Sequence, residues 1–199
     1  MCQEAGARVQ TNVLLRDMNL DVPVTDGRQI EVVATGLPIW NGAQVAVDTT
    51  LVSPLSGLGE PRMASDRRQG IVCREAIRQK RVVKYFELLH ARRSRLQVMA
   101  LEVGGRWDDS ALDFLRQLAR AQARQEPLWL REAVAQGMAY RWSALLAVAA
   151  QRTFAISLLH GNLFSNGGGM GGEAMATSDL LAEARFFVDL PVSRLGPRG

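Results

Sequence analysis

The sequence predicts an α/β fold, a small mixed β-sheet flanked by helices. Two observations carry this. The segments read strand, strand, helix, strand, helix, helix, an order that calls for helices layered on one sheet. Within it, Gln44–Val52 (QVAVDTTLV) alternates cleanly, with Val45, Val47, Thr49 and Leu51 on one side and Ala46, Asp48, Thr50 and Val52 on the other. A third observation is compositional: 47% apolar and 22% charged residues suit a packed globular chain, not a disordered or fibrous one.

Each element has its own warrant. Residues 1–27 read as an N-terminal loop or extension, with a short strand at Val13–Leu15 and turn formers at Pro23 and Asp26-Gly27. Ile30–Ala34 (IEVVA) is short and β-branched, hence a strand; Gly36, Pro38 and Asn41-Gly42 turn the chain into Gln44–Val52. A loop over 53–69 is punctuated by Pro54 and Pro61. Ile71, Ala76, Val83 and Leu88, set among charges, predict one helix over Ile71–His90. Leu96–Val103 (LQVMALEV) reads as a buried strand closed by Gly104-Gly105. Asp108 or Asp109 can cap a helix over Ser110–Gln125, whose stripe is Ala111, Leu112, Leu115, Leu118 and Ala119. Pro127 suits the start of a last helix, Leu128–Leu159, with a candidate break at Gly137 and a buried stretch at Leu145–Ala150. Six glycines in 161–172 read as a linker, and Leu180–Val188 as a short element of a loosely packed tail. The domain reading is therefore 1–27 extension, 28–160 α/β domain, 161–199 linker and tail.

Charge and cysteines narrow the function classes. The net charge of +4 comes more from arginine than lysine, which permits a nucleic-acid partner without requiring one. Cys2 and Cys73 cannot form a disulfide framework, and with His90 and His160 they match no zinc-ligand spacing. No apolar run approaches the roughly 20 residues of a membrane span. The chain is expected to be soluble and intracellular, without a membrane partner.

Some residue types point to chemistry. Glu31 and Asp48 fall on adjacent predicted strands, and Glu102 ends a third. An aspartate in mid-strand is unfavourable and needs a reason. Lys80 and Lys84 sit one helical turn apart. Carboxylates bind hard cations such as Mg²⁺, and a lysine steadies charge on a phosphate. The plainer alternative is that the acids are solvated or ion-paired and the lysines lie on a wet helix face. The four tryptophans (Trp40, Trp107, Trp129, Trp142) read as core anchors.

The segment IEVVATGLPIWNGAQVAVDTTLVSPL, the stretch REAIRQKRVVKYFEL, the turn LEVGGRW and the phrase LAVAAQR occur in an order and spacing that resembles the C-terminal, restriction-endonuclease-like region of non-LTR retrotransposon reverse transcriptase polyproteins. The likeness spans roughly residues 28–160. Asp48-Thr49-Thr50-Leu51-Val52-Ser53-Pro54 resembles that family's Asp-x-Thr-x-x-Ser-Pro strand. Ile30 stands where the family has proline before its first acid, and Asp48 lacks a lysine two residues on, so Lys80 or Lys84 from the helix would serve.

The resemblance implies a restriction-endonuclease-like core and Mg²⁺-dependent hydrolysis of DNA. Asp48 and Glu31 would hold the metal, with Glu102 a third candidate. Lys80 or Lys84 would contact phosphate, and Arg74, Arg78, Arg81 and Lys84 would line the DNA approach. It also implies a reverse transcriptase on the same original polyprotein and, if functional, a nuclear location. The alternatives are an inactive DNA-binding relic of that domain and an orphan interaction module.

Overall fold

The structure, a computed structural model, describes residues 1–56, 60–62 and 70–165, with side chains as far as residue 156. Met1–Gln151 make one compact unit and Arg152–Gly199 a second; the sheet and its covering helices belong to the first. Four strands, β1 (Arg8–Leu14), β2 (Gln29–Thr35), β3 (Gln44–Val52) and β4 (Ser94–Glu102), form one sheet in that order. β1–β2 and β2–β3 pair antiparallel, whereas β3 and β4 run parallel from Gln44↔Ser94 to Val52↔Glu102. The predicted small mixed sheet flanked by helices is present.

A parallel pair needs a crossover. The chain supplies it with α1 (Ile71–Gln79), a π-helical turn (Lys80–Lys84) and α2 (Glu87–His90). One helix was expected over Ile71–His90; the Tyr85 N–H instead bonds five residues back to the Lys80 carbonyl, and the helix breaks at Tyr85 (φ −133°, ψ 44°). Every β4 residue except Arg95 is buried, as befits a parallel strand covered on both faces.

The two sheet faces build two cores. Val45, Val47, Met99 and Ala34 pack against α3 (Asp109–Ala123) and the start of α4 (Arg131–Ser165). Ala46, Val98, Ala100, Ile30 and Val33 pack against Cys73, Ile77, Tyr85, Leu88 and the buried Leu15. Asp108 caps α3, its carboxylate accepting the Ser110 N–H at 2.9 Å. Phe114 joins the predicted α3 stripe and stacks on Trp40, ring centroids 5.6 Å apart.

Other expectations need correction. The edge strand runs over Arg8–Leu14, of which the short strand expected at Val13–Leu15 caught only the end; the alternation before it is masked by polar residues because most of its side chains stay solvated. α4 passes through Gly137 unbroken, since the roughly 1 kcal/mol that glycine costs a helix is small beside tertiary packing. In α4, Ala135, Met138, Ala139, Trp142 and Leu146 face the core, leaving Leu145 and Val148 exposed rather than buried. Trp142 is fully buried and donates its indole N–H to Glu4 at 2.8 Å; Trp129 is no core anchor, being 81% exposed. Residues 161–165, read as the start of a linker, continue α4. The remaining glycines of that stretch and Leu180–Val188 lie outside the described residues. Among the described residues, no helix is long and apolar enough to cross a membrane.

Candidate functional site

β2 breaks its alternation at Glu31. Ile30 packs with Val33 on the α1 side, while Val32 and Ala34 belong to the α3 side. In β1 the facing Asn12 takes a left-handed φ of 54°, tolerable for asparagine, and the ladder skips the Asn12–Glu31 pair. Pairing of β2 with β3 stops at Val32↔Val47. Where the strands part, the Glu31 carboxylate takes over as acceptor: Oε2 receives the Thr49 N–H at 3.0 Å and the Thr49 hydroxyl at 2.6 Å.

One register step beyond Val47, Asp48 points to the α1 side and is only 1% exposed. A buried carboxylate is costly unless it is paired. Lys80 supplies the partner, donating from Nζ to Asp48 Oδ2 and, at 3.1 Å, to the Thr49 carbonyl. The Tyr85 hydroxyl lies 2.9 Å from Asp48 Oδ1 and 2.8 Å from the Gln29 carbonyl, two acceptors for one proton. Burial, then the Asp48 charge and hydrogen bond, then the Glu31 charge raise the Tyr85 pKa well above its ordinary value. The hydroxyl therefore stays a donor, and it senses both carboxylates. Lys84, half exposed, reaches Asp48 Oδ1 at 3.8 Å and lies 4.7 Å from the Tyr85 ring centre.

This cluster exists because the crossover is not one α-helix. The π turn adds a residue to its cycle, so Lys80 and Tyr85 both reach Asp48 although they are five apart. Such turns recur at functional sites. The turn is held from below by Arg28, which leads into β2. Its Nε donates to both Asp26 oxygens at 3.1 and 2.9 Å, and its other nitrogens bond Glu87 and the Lys84 carbonyl left open where the π turn ends. Asp26 and Glu87 push the Arg28 pKa further up, and Arg28 in turn holds the Asp26 carboxyl below its usual range.

Glu31, Asp48, Lys80 and Lys84 thus come together, and Glu102 does not. Glu102 pairs across from Val52, four residues along β3 from Asp48 or about 13 Å. It is buried and bonded by Arg106 at 3.3 Å. Beside it, burial first and the charges of Glu102 and Asp108 next push the Cys73 thiol up to about 12. Arg74 and Arg78 are exposed on α1, Arg78 held by Glu75 at 2.7 Å; Arg81 is half buried at the π turn. Among the described residues, no group of three or more His, Cys, Asp and Glu side chains gathers as a metal site would.

Sequence reasoning gave Arg28, Thr49 and Glu87 no role and treated Tyr85 only as part of a motif. The available signal was modest: an Asp-x-Arg beside a strand bearing an acid, and a tyrosine following a lysine at a spacing no α-helix face accommodates. The sequence matches no protein-family model and no curated protein.

Proposed function

We propose that the chain carries a divalent-metal-dependent DNA endonuclease domain with a restriction-endonuclease-like core, of the kind that ends non-LTR retrotransposon polyproteins. The observation that carries this reading is the buried Asp48 carboxylate on β3, faced by two lysines from the crossover and flanked by Glu31. The mixed sheet, with β4 parallel to the acid-bearing strand, supports it. On this reading the domain once accompanied a reverse transcriptase on one polyprotein and meets its DNA in the nucleus.

The donor set fits a hard cation such as Mg²⁺ in kind, because Asp48 and Glu31 both offer oxygen. The pocket already stabilises positive charge, since the Lys80 ammonium rests on Asp48 Oδ2. The chemistry such a cation supplies when bound is polarisation of the phosphodiester and activation of water. The chain's own residues do the rest. Tyr85 fixes the Asp48 carboxylate by its hydroxyl, and Thr49 fixes Glu31. Lys84, the more exposed lysine, is placed to neutralise an incoming phosphate.

A second reading has its own observation. Both Asp48 oxygens already have partners within the chain, as a closed structural cluster would. A protein that binds DNA through its basic crossover without cutting it would keep such a cluster intact.

Plasmid nicking in Mg²⁺ or Mn²⁺, beside DNA affinity in a chelator, separates the two. The nuclease reading expects metal-dependent nicking that Asp48→Asn abolishes, with DNA affinity kept. DNA binding without nicking in the wild type favours the second reading. Equal nicking by wild type and Asp48→Asn removes Asp48 as a metal ligand.

A further inference from the structure

The crossover that carries the lysines also carries apolar side chains turned outward. Val82, Val83, Phe86 and Leu89 are 52%, 64%, 51% and 49% exposed. They occupy the π turn and the start of α2, the segment that elsewhere commits Lys80 and Tyr85 inward to Asp48. A loose segment exposing four large apolar residues would be ordinary. This one is pinned. Arg28 bonds its Lys84 carbonyl and its Glu87 side chain, and Tyr85 is fully buried beneath it. The outward face is therefore presented in a fixed conformation despite its exposed apolar surface.

The charges around it select the occupant. From Lys80 to Arg93 the chain has five Lys or Arg and one acid, Glu87; Lys80 turns inward to Asp48, which leaves Arg81, Lys84, Arg92 and Arg93. Glu87 is consumed by Arg28, so the acid of this segment does not offset its remaining cations. A groove there is lined by Phe86, His90, Arg92 and Arg93 together with Asp17, Asp21 and the Arg28-bound Glu87. Cations interleaved with an aromatic and β-branched tip match a nucleic acid in both chemistries: phosphates for the former, base faces for the latter.

Resting on the DNA reading above, we infer that Val83 and Phe86 form a wedge that enters the base stack of bound DNA and unstacks one step beside the Asp48 cluster. Lys84 and Arg81 hold the adjoining phosphates, and the Arg28 clamp keeps the wedge rigid. Unstacking would make the strand locally deformable where the carboxylates meet it.

The probe is a set of mixed-sequence duplexes, each carrying 2-aminopurine at one position, bound by the full chain in a chelator. Unstacking raises 2-aminopurine fluorescence. The wild type is expected to raise it at one or two positions. Phe86→Ala and Val83→Ser should each lose the rise and weaken binding by about tenfold, the scale of one stacked base. The dependence of affinity on salt should be unchanged, because no phosphate contact is lost. Wild-type binding without any fluorescence rise overturns the wedge and leaves the nuclease reading standing. No DNA binding at low salt overturns both. A wild type that sediments as a dimer and a Phe86→Ala variant that sediments as a monomer would assign the face to a second copy and overturn the wedge.

Discussion

On one face of the sheet, α3 lies as an unbroken 15-residue helix over Val45, Val47 and Met99; on the other, the chain from Ile71 to His90 changes helical type twice before reaching β4. The first face is sealed mainly by apolar contacts, its polar exceptions being the buried Gln97 amide, which donates to the Ser110 carbonyl of α3 at 3.3 Å, and the Trp142–Glu4 bond. The second seals most of its area in the same way but encloses Asp48, Lys80 and the Tyr85 hydroxyl. An apolar face tolerates the most regular helix available, because dispersion and area burial have no directional demand. A buried carboxylate demands particular atoms at particular angles, and the helix deforms to deliver them.

The largest expected effect tests the regular face. Phe114→Ala, at a site 2% exposed and stacked on Trp40, should cost about 3–5 kcal/mol of unfolding free energy by urea titration. The DNA affinity of the molecules still folded should be unaffected. A change in affinity larger than twofold would mean the two faces are not separable. Lys80→Met tests the irregular face. It leaves Asp48 buried with Tyr85 and the distant, half-exposed Lys84, and should cost about 3 kcal/mol. The same titration checks it, and a cost below about 1 kcal/mol would show that Asp48 finds another partner or water instead. If neighbouring carboxylates repelled Asp48, neutralising it would slightly stabilise the protein. With two lysines facing it, Asp48→Asn is instead expected to destabilise.

The smallest effect probes the clamp beneath the turn. Arg28 holds the Asp26 carboxyl below its ordinary range. A carboxylate depressed in the folded state adds stability above its unfolded value, near 3.9. That contribution is lost as pH falls through the lower folded value. The wild-type advantage in melting temperature over Arg28→Met should therefore be largest near neutrality and shrink on acidification below about pH 4. An advantage of equal size at pH 7 and pH 3 would show that the Asp26 pair contributes nothing. Because the Arg28 side chain remains about 29% exposed, the effect is partly screened by salt and modest.

The same contrast explains what could be read in advance. β3 was legible to the residue at both ends, because alternation and flanking turn residues agree there. α3 was legible within two residues, through its stripe and the Asp108 cap. The sheet's edge strand was legible only at its end, Val13–Leu14, since the rest of Arg8–Leu14 has little apolar alternation and gains its order from pairing with β2. At the candidate site, the residue types were legible and their partners were not. Asp48 announced itself as a charge in mid-strand. That Lys80 and not Lys84 would grip it depends on a π turn, and that turn depends on Arg28, 56 residues before Lys84, which local periodicity cannot carry. Glu102 looked equivalent to Glu31 because strand position along a parallel ladder is invisible without the register.

The parallel ladder itself has a kinetic consequence. β1 to β3 form a meander whose neighbours are close in the chain, but the first rung between β3 and β4 joins Gln44 to Ser94, 50 residues apart. Such a loop must close before any of the nine rungs can reward it, so chain topology places the slowest step at this pairing. The penalty grows only logarithmically, about 0.6 kcal/mol per doubling of length, so trimming the crossover would quicken folding only slightly. Asp48 lies on the late side of that barrier. A nascent chain presents its carboxylate uncovered until β4 docks and the crossover folds down, and it acquires its lysine partners in the same event that completes the sheet.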